Sequence, residues 1–315
     1  MCAVAVMALG AAGVPGQSYP NKPIRLVVGF ATGGSVDLQA RLLAQKLGAS
    51  WGQQVVVDNR PGAGGNVSAE IVAHASNDGH TLYLCSPSLV VNPSLYARTG
   101  YDPIRDFAPV SLVSRTQVVL VAYPEFGGKS VKELIALAKA RPGQINYAAT
   151  GAGSSGHIAM ELFKSMAKVE LVHISYKVIG QATTDLLSGQ VSLWFPTMPS
   201  MLPHIRAGKV RALGVGGAAR SPALPEVPTI AEAGVPGFEA SSWYALLAPA
   251  GTPSAVIFKL NADVVRMLRL PDVLENLAGM GIEVVGGTPE QLARHISAEL
   301  PKWARVIKSS AARVD

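Results

Sequence analysis

Short apolar runs rich in Val, Ile and Leu alternate with longer amphipathic stretches from residue 24 to residue 308. Runs of about four to eight such residues bounded by Gly, Pro, Asn or Ser read as strands, and a 3.6-residue period reads as helix. Residues 24–30 predict a strand that runs into the turn Ala31-Thr32-Gly33-Gly34-Ser35 and a helix over 36–47. Strands at 55–59, 81–85 and 118–122 follow, with a helix reaching His74 between the first two. A second set begins near Lys129: helix 131–140, strand 145–149, loop 150–156, helix 157–168, strand 171–175, and a helix from Gln181 to the stop signal at Gly189. Strands at 191–195, 210–215 and 242–247 complete the sheets. The tail is helical over 254–268, 271–280 and 289–308.

Alternating strand and helix predicts an α/β protein with mainly parallel sheets. A length of 315 residues is about two domains' worth of chain. The apolar runs at 118–122 and 243–247 are the expected crossings between two lobes. That division gives 19–118 plus 243–315 as the first lobe and 119–242 as the second. A ligand then belongs in the cleft between them, at the carboxyl ends of the strands.

Composition narrows the chemistry. The chain is 49% hydrophobic and 15% charged, which excludes a disordered chain. Its 27 basic and 21 acidic residues leave a net charge of +6, spread without a Lys/Arg block, so no nucleic-acid surface is expected. The two cysteines, Cys2 and Cys85, form no CxxC pair, and His74 and His80 have no further ligand at zinc spacing; no metal site is expected. Cys85 reads as a small buried strand residue. Residues 1–16, MCAVAVMALGAAGVPG, are apolar, uncharged and rich in small side chains, like the later part of a secretory leader. An exported protein is expected.

Three glycine motifs bear on catalysis. Gly151-x-Gly153-x-x-Gly156 follows a strand and opens a helix, as a dinucleotide fingerprint does, yet no acid ends the next strand; Tyr176-Lys177 follow it. A nicotinamide-dependent oxidoreductase is the alternative this loop keeps open. The same loop approaches a nucleophile elbow, but its only late histidine, His295, lies in an ordinary amphipathic helix. Gly128-Lys129-Ser130 resembles the end of a P-loop whose first glycine position holds Tyr123, which excludes it. Simpler chemistry remains. Residues 32–35 and 150–156 both sit at strand-to-helix junctions, where free N–H groups at a helix N-terminus attract anions. Two such loops in opposite lobes predict an anion-binding cleft.

Gly29-Phe30-Ala31-Thr32-Gly33-Gly34-Ser35-Val36-Asp37, Asn59-Arg60-Pro61-Gly62-Ala63-Gly64-Gly65-Asn66 and Gly151-Ala152-Gly153-Ser154-Ser155-Gly156-His157 resemble the Bug family, the substrate-binding proteins of tripartite tricarboxylate transporters. Leu186–Val191, Pro203–Lys209, Arg220–Pro225 and Ala248–Pro253 add to a resemblance that spans Tyr19 to Lys308. It implies a two-lobed, hinged periplasmic binding protein of type II (a Venus flytrap) without cofactor or catalysis. Such a protein delivers a small carboxylate to a membrane permease, or signals its presence to a partner. A monomer is expected. The binding positions it implies here are Ala31, Thr32, Gly33, Gly34, Ser35 and Asp37, then Ser86 and Ser88, then Thr150, Ser154, Ser155 and His157, and finally Tyr176 and Gln181. Thr32 stands where the family has proline, Val178 where it has glycine, and Pro196 where it has an acid. Loss of that acid removes a partner for a ligand amine and predicts a plain carboxylate. Lys177 is the one cation expected near the cleft, so backbone N–H groups and hydroxyls should carry most of the recognition.

Overall fold

A computed structural model describes residues 19–310; the leader reading at 1–16 lies outside the described residues. The strands fall into two sheets. Numbered in chain order, six form the first, in spatial order β11 (Ile282–Val284), β4 (Phe107–Gln117), β10 (Ser241–Pro249), β3 (Thr81–Cys85), β1 (Ile24–Val28) and β2 (Val55–Asn59). Five form the second: β7 (Val172–Ser175), β6 (Asn146–Ala149), β8 (Leu193–Trp194), β5 (Val119–Ala122) and β9 (Arg211–Val215). Helices α1 (Ser35–Trp51), α2 (Asn66–Ala73), α3 (Ser88–Leu95), α8 (Ser254–Leu268), α9 (Pro271–Gly279) and α10 (Pro289–Ser310) belong with the first sheet. With the second go α4 (Val131–Ala140), α5 (Ser155–Ala167), α6 (Ile179–Leu187) and α7 (Met198–Arg206).

Strand β1 shows why the pattern is so legible. Ile24, Leu26 and Val28 face a cluster with Leu43 and Leu260, while Val27 faces Tyr83 and Trp243 on the other side. Helices cover both faces, so every position is apolar but Arg25, whose Nε donates to Asp58 of β2 (2.7 Å). Cys85 is buried in β3, as expected, and burial pushes its thiol far above the usual range.

The pairing β2-β1-β3 is parallel, and so is β7-β6-β8. Mainly parallel sheets were expected; both are mixed. Strand β10 runs antiparallel to β3 and β4, and β5 runs antiparallel to β8 and β9. These are the strands that enter or leave a lobe. They do so without a crossover helix, and antiparallel pairing is what such a direct connection allows.

Only Val118 separates β4 from β5, close to the expected crossing. The return comes earlier than expected: the chain re-enters the first sheet at Ser241, and Trp243–Leu247 pairs inside it. At the hinge, Gly216 donates its N–H to Val118 O (2.8 Å) and Ala240 donates to Gly216 O (2.8 Å). A Cβ at Gly216 would stand 2.5 Å from both Ala240 O and Val118 Cγ2, so only glycine fits there.

Strand β4 and helix α3 are absent from the pattern reading. Buried positions of β4 carry Ser111, Ser114 and Thr116, bonded to Gly287 O, the Gln39 side chain and Gly281 O. Hydroxyls satisfied in this way blur a strand's apolar signature. Helix α3 contains Pro93, an interior breaker signal.

Candidate functional site

The chain leaves β1 through Gly29 and Phe30 and turns into α1 at Ser35. The turn is pinned from behind. Asp37, 1% exposed, accepts hydrogen bonds from Gly33 N–H (2.9 Å), Asn59 Nδ2 (2.9 Å) and Arg41 Nε (3.0 Å), and Asn59 Nδ2 also donates to Phe30 O (3.0 Å). Burial opposes the charged form of Asp37, but the bonds from Arg41, Gly33 and Asn59 outweigh it and hold the carboxyl below the usual range. Gly33 takes φ +85°, which the turn requires.

The facing loop leaves β6 at Thr150 and opens α5. Ser154 caps that helix, its Oγ accepting from His157 N–H (3.3 Å), and His157 Nδ1 accepts from Gly153 N–H (3.4 Å). His157 is buried against His173, with ring centroids 4.9 Å apart. Burial, then the neighbouring His173, push it down to about 4. It is therefore neutral at neutral pH, as an acceptor of that N–H must be.

The N-termini of α1 and α5, from opposite sheets, meet at one cavity of about 70 Å³. Gly34, Ser35, Ser86 and Tyr244 line it from the first lobe, with Thr150, Ser154, Ser155, Thr197 and Ser200 from the second. No charged side chain lines it. Ser35 Oγ is buried and faces the Tyr244 hydroxyl, which also has Ser242 and Thr197 as neighbours. Hydroxyls gathered beside two sets of free helix N–H groups suit a ligand oxygen.

Phe30, Ile179 and Thr150 line this inner cavity and also an outer one of about 360 Å³, walled by Pro61, the glycine-rich turn 62–65, Tyr176 and Lys177. The lobes touch around both. Ser155 Oγ donates to Ser242 Oγ (2.9 Å), and Asn92, held to Gly64 O (3.1 Å), abuts Gly153. A Cβ on Gly64 would stand 2.2 Å from Ala152 O.

Of the residues expected at the site, Ala31, Gly34, Ser35, Ser86, Thr150, Ser154, Ser155 and Tyr176 reach the cavity walls. Asp37, Ser88 and His157 are buried behind them and hold them in place, Ser88 through the Ser86 hydroxyl (3.1 Å). Thr32, Gly33 and Gln181 are exposed outside both linings. The Tyr176 hydroxyl is committed to Asp185 Oδ2 (2.7 Å), and burial with that carboxylate pushes it up to about 12. Pro196, in the place of the family's acid, does line the inner cavity. Pattern reading passed over Tyr244, Trp194 and Ile179, which look like core residues; Tyr244 lies in an apolar run and is 3% exposed. Two of the three glycines of 151–156 serve protein contacts, Gly153 against Asn92 and Gly156 against Phe195 O, where a dinucleotide site needs them for a pyrophosphate; Gly151 has open space and lines the outer cavity.

Comparison with known proteins agrees with this geometry. The family model described as the tripartite tricarboxylate transporter family receptor matches residues 39–311. Rpa4515 of R. palustris, solved with adipate, is 38% identical with a TM-score of 0.89, over 93% of this chain and 98% of that one. The periplasmic binding protein BugD is 34% identical (TM-score 0.89; 94% and 99% covered). MatC of Rhodopseudomonas palustris, solved with malate, is 34% identical (TM-score 0.87; 92% and 100% covered). Among the described residues no helix is long and apolar enough to cross a membrane. The chain therefore belongs to the tripartite tricarboxylate transporter receptor family, the two-lobed solute-binding receptors that include the Bug-type periplasmic binding proteins.

Proposed function

We propose that this chain is an exported, monomeric solute receptor that holds a small carboxylate in the interlobe cleft and delivers it to a tripartite tricarboxylate-type permease, without catalysis. The observation that carries this reading is the convergence of the α1 and α5 N-termini on an uncharged cavity lined by the Ser35 and Tyr244 hydroxyls. A carboxylate there accepts backbone N–H and hydroxyl bonds and meets the favourable end of two helix dipoles. The similar chains solved with adipate and malate support an acid of that size.

Thermal shift with a panel of mono-, di- and tricarboxylates beside NAD and NADP tests it. A specific ligand at a hundredfold excess over Kd stabilises the fold by about 2.7 kcal/mol. Stabilisation by an acid and not by the dinucleotides is expected. The reverse result overturns the reading. N-terminal sequencing of periplasmic protein tests export, with cleavage expected near Gly16.

A further inference from the structure

The inner cavity, about 70 Å³, is well below the roughly 300 Å³ at which ligand sites usually begin, whereas the outer one reaches about 360 Å³. The two share Phe30, Ile179 and Thr150, and the two apolar members come from opposite lobes. Ile179, at the first turn of α6 in the second lobe, reaches the α1 turn; a Cβ on Gly34 would stand 3.0 Å from its Cδ1. The rest of the outer wall is mostly glycine and alanine with Pro61, Ser175 and Tyr176, and its one charged residue is Lys177. Among the described residues no carboxylate pairs with Lys177, and no charge lines the inner cavity.

Two adjoining cavities that share Phe30, Thr150 and Ile179, one uncharged and one lined by a cation, suit an elongated anion better than a compact one. We propose that Ile179 sets the length and Lys177 the far-end charge of the acid this cleft accepts: one carboxylate on the two helix N-termini, an apolar spacer past Ile179, and a second anionic group at Lys177. The proposal rests on the receptor reading above and goes further, to a class of ω-dicarboxylates. Lys177 is a specificity determinant here and not the clamp on the first carboxylate.

Titration calorimetry on the whole mature protein decides it, with succinate, adipate, octanedioate and hexanoate as probes. Hexanoate matches adipate in carbon count but lacks the second carboxylate. Lys177→Ala is expected to weaken adipate binding by about tenfold or more, the range of a charge-assisted bond, and to leave hexanoate within about twofold. Lys177→Arg should restore adipate. A wild-type protein that binds adipate and not hexanoate supports the proposal equally. Ile179→Ala should shift preference from succinate towards octanedioate by about tenfold. Equal loss of adipate and hexanoate in Lys177→Ala, or no change of length preference in Ile179→Ala, overturns the proposal while the receptor reading stands. A wild-type protein that binds none of the four overturns the proposal, and one that binds no acid of the wider thermal-shift panel overturns the receptor reading as well.

Discussion

Gly33 and Gly34 resist substitution for different reasons. Gly33 has open space around it but a φ of +85°, so a side chain there strains the backbone by about 1–3 kcal/mol. Gly34 has an ordinary extended backbone, and its obstacle is Ile179 from the other lobe. Gly33→Val should therefore lower the melting temperature of the unliganded protein. Gly34→Val should leave it nearly unchanged and instead weaken, more than tenfold, binding of whichever acid stabilises the wild type, because it props the lobes apart. Ser35→Ala removes one neutral hydroxyl and should cost about 0.5–1.5 kcal/mol of affinity. Thermal unfolding and calorimetry on the three variants separate these effects, and equal behaviour of the two glycine variants contradicts the distinction.

His157 makes a residue-level prediction about pH. Burial and His173 lower its folded value to about 4, while the unfolded chain takes up the proton near 6.5. Between those values the unfolded state binds more protons, so stability is fully present above about pH 6.5 and declines as pH falls towards 4. His173 shifts in the same direction; Glu161 opposes the shift and Lys164 adds to it. Urea unfolding at pH 7.5, 5.5 and 4.5 should show the decline, and His157→Asn should flatten part of it. A wild-type protein equally stable across that range contradicts the assignment.

At the scale of elements, the first turn of α1 depends on a carboxylate that touches no cavity. Asp37→Ala removes the charged acceptor of the Gly33 N–H and of one Asn59 amide bond, and a hydrogen bond to a charged group is worth about 1.5–3 kcal/mol. We expect the unliganded protein to lose at least that much in urea unfolding. Unchanged unliganded stability with lost binding would instead make Asp37 a direct ligand contact. The same element explains what was legible in the sequence. Residues 31–37 announce an anion site because glycine, hydroxyl and helix start coincide there, yet nothing local says that Asp37 faces backward; its partner Asn59 ends another strand. Strands β1 to β3 were legible from the apolar runs Leu26–Val28, Val55–Val57 and Leu82–Cys85. Strand β4 was not, since Ser111, Ser114 and Thr116 find their partners in segments far along the chain. Ile179 and Tyr244 went unnoticed for a related reason: an apolar wall of a ligand cavity is written in the same residues as a core.

At the scale of the molecule, the lobes meet where glycine lets them approach closely. Gly64 lies against the Ala152 carbonyl and Gly153 against the Asn92 side chain, with Ser155 bonded to Ser242 beside them. Gly64→Ala places a methyl where the Ala152 carbonyl stands, so the lobes cannot reach this approach. Small-angle scattering, with the acid that stabilises the wild type at saturation, should show a larger radius of gyration for this variant than for the wild type. The wild type should compact on binding as the hinge bends at Val118, Gly216 and Ala240. Identical liganded profiles would mean that the glycine contact does not limit closure.

The path of the chain through that hinge also orders events in time. Strand β10 stands between β4 and β3, so the six-stranded sheet has no continuous centre until residues 241–249 arrive. All five strands of the other sheet lie within residues 119–215. Contacts local in sequence form sooner than those that must first close a long loop. The second lobe should therefore gain protection first in pulsed hydrogen exchange during refolding, with β5 to β9 ahead of β3 and β10. Until β10 docks, β3 and β4 present unpaired edges open to another chain. Substitutions that slow β10 docking should accordingly lower the yield of refolded protein more than they lower its final stability.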